Sequence, residues 1–151
     1  MKKDSRLSSV LHALLHMQAQ KEPLTSETLA MCMNTNPVVV RRTMGLLRDA
    51  GIVRSARGHA GGWTLAMPPE TLTLRTLHEA LGEPAIFAIG NRNEMPECLV
   101  EQSVNAVLNT AFIEAEALLL RHFEAVTLAD LAADFNRRHA AFHAAKNKSC
   151  G

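Results

Sequence analysis

Few side chains in this 151-residue chain stand where they could do chemistry, and the most telling of them are cationic. Arg41 and Arg42 follow Asn36-Pro37-Val38-Val39. Neighbouring guanidinium groups there can reach phosphates or guanine edges, the latter being the commonest specific contact to DNA. Val38 and Val39 are odd at an exposed helix start. One of them could pack on thymine methyls in the major groove, and Val39 could equally seal the core against the first helix. Arg57-Gly58-His59 heads a glycine-rich loop. An Arg at such a tip suits a narrow, strongly negative minor groove, and His59 adds a phosphate contact. Lys2, Lys3 and Arg6 either touch phosphates or make a solubilising terminus.

Sulfur and imidazole offer less. Cys98 falls near the start of a long helical pattern, where the helix dipole favours the thiolate; Glu94, Glu97 and Glu101 oppose that shift. It is the one candidate sensor, against the alternative of an inert packed thiol. Cys32, between Met31 and Met33, reads as packed in or beside the core, and Cys150 lies in a basic tail. His12/His16 and His139/His143 are each four apart, a spacing that can chelate a metal on a helix. With only Asp134 near the second pair, solvated or packed imidazoles are the favoured reading. There is no Cys-x-x-Cys, phosphate loop, nucleophile elbow or paired-His metalloprotease motif, so no catalytic residue and no enzyme is expected.

The elements that must carry these residues follow from periodicity and punctuation. Leu7, Val10, Leu11, Leu14, Leu15 and Met17 predict a helix over 5–20, with Ser5 or Asp4 to cap it. Thr25 or Ser26 starts a short helix to about Met33. Asn36 and Pro37 then suit the cap and first residue of a helix running to Ala50, where Gly51 fits a left-handed stop. Val40, Met44 and Leu47, edged by Thr43 and Ala50, form its inner stripe, leaving the arginines outward. Two short helices and a tight turn describe a helix-turn-helix.

Strands over 52–55 and 62–66 flank the cationic loop as a wing, with Trp63 beneath it as a core residue and Gly61 and Gly62 serving the backbone. Thr73 caps a helix to about Leu81. After a connector over 83–96 comes one helix from about Glu97 to Ala125. Its stripe includes Val100, Val104, Val107, Leu108, Phe112, Leu118 and Phe123. About 28 residues at 1.5 Å each span about 42 Å, more than a small winged helix needs, which argues for a second chain. Thr127 with Asp130 caps a last short helix to Phe135, and the tail is partly helical or frayed.

Composition agrees. The chain is 47% hydrophobic but only 4% aromatic, with no Tyr, which suits a helical core of Leu, Val, Ala and Met. The net charge of +1 hides an excess of +5 over residues 1–68, −8 over 69–135 and +4 over 136–151. A basic first part suits a polyanion and an acidic middle would repel one. Apolar runs of about five residues at most, no secretory signal and three scattered Cys point to the cytoplasm and away from membranes.

Asn36-Pro37, Leu47-Arg48-Asp49-Ala50-Gly51-Ile52-Val53 and the wing Arg57-Gly58-His59-Ala60-Gly61-Gly62-Trp63-Thr64-Leu65-Ala66 resemble the Rrf2 family of bacterial winged-helix regulators. The resemblance covers roughly residues 5–135. It implies a homodimeric regulator that binds double-stranded operator DNA, usually a repressor. Cluster-binding relatives place three Cys in the connector and the start of the dimerisation helix. Here that window holds Cys98 alone, so no iron–sulfur cluster and no other cofactor is expected.

The expected fold is mainly α with a small β-hairpin wing, a winged helix-turn-helix plus a long dimerisation helix. Its parts are a DNA-binding domain over 1–82, a connector and dimerisation helix over 83–135, and a basic tail over 136–151. The candidate DNA-facing set is Asn36, Val38, Val39, Arg41, Arg42, Arg57, Gly58 and His59. The expected signal is redox, through Cys98, or a small-molecule effector; the alternative is an iron–sulfur or metal-sensing regulator.

Overall fold

The computed structural model describes residues 3–59, 61–87 and 90–148; Lys2, Ala60 and Cys150 lie outside them. The order is α1 (Arg6–Ala19), α2 (Ser26–Cys32), α3 (Pro37–Asp49), β1 (Val53–Ala56), β2 (Gly62–Leu65), α4 (Leu74–Ala80), α5 (Leu99–Ala125) and α6 (Leu128–Lys148). Among the described residues one antiparallel hairpin, β1 with β2, stands between α3 and α4.

Local chemistry sets most helix starts. Asn36 Oδ1 accepts from the Val38 and Val39 backbone N–H groups at 3.1 Å each, and Pro37 opens α3. Thr25 caps α2 through the Thr28 N–H at 3.2 Å, and Thr73 caps α4 through Thr76 at 3.1 Å. At α6 the Thr127 N–H donates to Asp130 Oδ2 at 2.9 Å while the Asp130 N–H donates to Thr127 Oγ1 at 3.1 Å. That reciprocal pair satisfies two orphan donors at once. In α1 the Ser5 hydroxyl makes no cap bond; Asp4 Oδ1 instead accepts the Arg6 N–H at 2.9 Å.

The core gathers apolar side chains from α1 to α4, the hairpin and the start of α6. Val10 and Leu14 of α1, Leu29 of α2, Val40, Met44 and Leu47 of α3, and Leu77 of α4 are fully buried with Ile52 and Leu72. Leu128, the first residue of α6, is fully buried in the same cluster. It is held there by main-chain bonds from Leu74 N–H to Val126 O at 3.0 Å and from Leu128 N–H to Leu72 O at 2.8 Å. The inner stripe of α3 is Val40, Thr43, Met44 and Leu47; Ala50, expected at its edge, is exposed.

The wing is tied down by backbone. Ala56 pairs with Gly62 and Val53 with Leu65, and Leu24 exchanges two further bonds with Trp63, at 3.1 and 2.8 Å. A Cβ on Gly62 (φ +146°) would lie 2.6 Å from Leu24 O, and one on Gly61 would lie 2.6 Å from Ala56 O. Only glycine allows both close approaches. Trp63, 8% exposed, sits beneath, its Nε1–H donating to Ser26 Oγ at 3.1 Å.

Two expectations change. The last helix does not stop at Phe135 but runs on to Lys148. No Gly or Pro interrupts that stretch, and Asp134 pairs with Arg137 at 3.2 Å and Arg138 at 2.7 Å across the expected end. In addition, α5 is long and apolar enough by length and composition to cross a bilayer, so short apolar runs alone did not exclude a span. Its apolar stripe finds little cover within the chain: Val107 is 72% exposed and Leu118 51%, and Asn105 is the helix's buried residue.

Candidate nucleic-acid interface

Amphipathicity divides α3 into a core face and an outward face. Outward stand Val38, 65% exposed, with exposed Arg41 and Arg42. Val39 is half-buried, between the two roles its position left open. Leu46, 42% exposed, lies outside the core stripe as well. Asn36 spends its carbonyl oxygen on the cap, leaving only its amide donors for another partner.

A shallow groove of about 320 Å³ joins this helix to the wing, with Glu27 and Arg41 on one side and Ser55, Gly58 and Gly62 on the other. The fold thus brings Arg41 and Gly58 to one surface. Exposed Arg57 and His59 belong to the wing loop but do not line the groove. Arg41 is engaged: its Nη2 donates to Glu27 Oε1 at 3.1 Å, with both side chains more than half exposed. Such a pair is worth at most about 1 kcal/mol and yields easily to a stronger anion. Among the described residues, Arg42, Arg54 and Arg57 face no carboxylate within ion-pair distance.

At the N-terminus Lys3 is exposed. Arg6 forks onto Asp4, with contacts of 2.7 to 3.2 Å, and its guanidinium holds the Asp4 carboxyl below the usual range. Glu27 was not singled out from sequence. A carboxylate 14 residues from its partner leaves no periodic trace; only its place in the first turn of α2 hinted at a surface role.

The connector meets α5 through amides. Asn105 Nδ2 donates to Asn93 O and Asn91 Nδ2 to Asn109 Oδ1, both at 2.7 Å, while Arg92 pairs with Glu101 at 2.8 Å. His78, buried in α4, donates from Nε2 to Pro84 O at 2.9 Å and fixes the connector's start. Cys98 occupies the cap position of α5 without a side-chain cap bond. It is exposed and borders a pocket of about 500 Å³ with Arg92, Glu101 and Asn105. Cys32 is half-buried.

Residues 4–134 match a family model described as Rrf2, iron-dependent transcriptional regulator. The donor set here does not fit an iron–sulfur cluster. Cys98 is the one thiol of its pocket, and among the described residues no three His, Cys, Asp or Glu side chains converge to hold a metal. Where a cluster would want thiolates, this chain places asparagines.

Among similar proteins, YwnA of Bacillus subtilis carries the name of an HTH-type transcriptional regulator. It is 30% identical over 129 residues, 85% of this chain and 95% of YwnA. Among solved structures, T. potens IscR superposes with a TM-score of 0.66 at 18% identity, covering 89% of this chain and 88% of that one. CymR, the global cysteine regulator of B. subtilis, superposes at 0.64 and 21% identity, covering 88% and 97%. These structures share the fold. With the family match spanning nearly the whole described chain, this protein belongs to the Rrf2 family of transcriptional regulators and is not an enzyme.

Proposed function

We propose that the protein is a homodimeric, sequence-specific DNA-binding regulator that acts as a repressor. In this reading α3 enters the major groove, with Arg41 and Arg42 on guanine edges or phosphates and Val38 on a thymine methyl. The wing carries Arg57 and His59 to the neighbouring minor groove and its phosphates, and Gly58 lets the loop approach closely. Asn36 and Val39 sit at the helix entry, Asn36 donating its free amide to a phosphate. The observation that carries the reading is the exposed cationic face of α3 joined by one groove to the wing.

Dimerisation is supported by α5. Its 27 residues extend about 40 Å and expose an apolar stripe that a second copy of the helix would cover. The dimer then sets the spacing of two recognition helices. Occupying an operator excludes polymerase, which makes repression the simplest output. The signal is redox or a small molecule, received without an iron–sulfur cluster at the pocket beside Cys98, where connector and α5 meet.

The test is binding to DNA from the protein's own promoter region against unrelated DNA, in a salt series, reduced and oxidised. Selective binding with a steep salt slope is expected. Arg42→Ala should weaken it about tenfold to hundredfold with an unchanged melting temperature. Loss on oxidation that vanishes in Cys98→Ser assigns the sensor; selective binding indifferent to oxidation assigns a small molecule instead. Equal affinity for unrelated DNA in every state overturns the regulator's specificity.

A further inference from the structure

We infer that His12 and His16 form a divalent-cation site, open to solvent and set between α1 and α6. The two imidazoles rise from successive turns of α1 with their Nε2 atoms 3.0 Å apart and their rings stacked at 4.9 Å. Two nitrogens bound to one first-row ion at about 2.1 Å lie about 3.0 Å apart at a right angle and about 3.4 Å apart at the tetrahedral angle. The pair is therefore spaced for adjacent corners of an octahedral or square-planar ion, the geometries of nickel and copper, whose affinity for imidazole also exceeds that of earlier metals.

In the ion-free pair the two Nε2 atoms face each other at 3.0 Å. With an ion bound, each ring carries its proton on Nδ1 and both Nε2 lone pairs face the metal.

His139 and His143 repeat the spacing on α6, with Nε2 atoms 3.1 Å apart, so spacing alone does not choose between the pairs. Their surroundings do. Val10, Ala13, Leu14 and Met17 bury the opposite face of α1 and fix the backbone beneath His12 and His16; residues 136–146 of α6 are exposed on every side. A chelate held in place before binding loses less freedom on closing around an ion.

His12 and His16 also border a cavity of about 370 Å³ whose far wall is Phe135 and Asn136 of α6. The Asn136 amide lines the same cavity. Among the described residues no third His, Cys, Asp or Glu joins either pair. Water completes the coordination, and the affinity belongs in the micromolar range. The site shares no residue with the pocket beside Cys98. Because α1 belongs to the DNA-binding half and α6 to the other, a bound ion links the two.

The experiment uses full-length protein without an affinity tag, titrated calorimetrically with Ni²⁺ and then with Zn²⁺. One Ni²⁺ per chain at micromolar affinity is expected, tighter than Zn²⁺. His12→Ala and His16→Ala should each weaken binding about tenfold or more, while the His139→Ala/His143→Ala double variant keeps it. Ni²⁺ should raise the melting temperature of the wild type and not of His16→Ala; since both histidines are exposed, these variants fold. Three results overturn the site: no binding up to millimolar Ni²⁺, loss of binding with the α6 pair instead, or two equivalent sites each removed by its own pair.

Discussion

Helices α3 and α5 are both amphipathic, yet they meet opposite fates within one chain. The apolar stripe of α3 is consumed by the core: Val40, Met44 and Leu47 are fully buried, and the arginines are left outside. The stripe of α5 stays open, with Val100 and Val107 mostly exposed and Val104 half-exposed. Periodicity shows that a helix has an inside; it does not show whose inside. For α3 the covering partner is this chain, and for α5 we propose a second copy.

Substitutions on the two stripes should therefore behave differently, and the largest effect belongs to α3. Leu47→Ala should cost about 2–5 kcal/mol in urea unfolding at any protein concentration, since it opens a cavity in a packed core. Val107→Glu should leave the helix content of a single chain intact and weaken self-association about tenfold or more, read by sedimentation across a dilution series. A Val107→Glu protein that unfolds as readily as Leu47→Ala at every concentration would erase the contrast.

The outward faces differ more gently. In the proposed complex Glu27 competes with DNA for Arg41, so Glu27→Gln should tighten binding to unrelated DNA a few-fold and steepen the salt dependence, the freed guanidinium adding a phosphate contact. Unchanged affinity would mean that Arg41 already leaves Glu27 at no cost. The smallest effect is expected at the start of α6. The Thr127 N–H and hydroxyl hold the Asp130 carboxyl below its ordinary value of 3.8. A group depressed in the folded state contributes fully above that ordinary value and loses its contribution as the pH falls through the folded one. Acidification below about pH 4 should thus fray α6 in the wild type, and Asp130→Asn should remove part of that dependence, read as helix signal by circular dichroism.

What the sequence made legible was local. The Asn36 and Thr73 caps, the Thr127/Asp130 box and the stop at Gly51 each rest on residues within three positions of one another, and each forms as expected. The wing was legible because Gly61 and Gly62 leave room that no other residue could. What escaped depends on distant segments: Leu24 bridging to Trp63, Glu27 reaching Arg41, and the asparagines that dock the connector. The extension of α6 past Phe135 escaped for another reason. A basic, alanine-rich run without an apolar stripe looks alike whether helical or frayed, and the Asp134 pairs that bridge it carry no apolar period.

The burial of Leu128 has a practical consequence for anyone dissecting this chain. The first 82 residues look like a module that could be cut out, but that piece would lack a side chain from the centre of its own core and three main-chain bonds at its edge. Removing everything after residue 82 would leave a leucine-sized void open to water. A piece that keeps this core whole therefore travels through α5 and returns to Leu128, and the winged helix is expected to lose stability when it is expressed apart from the helix that follows it.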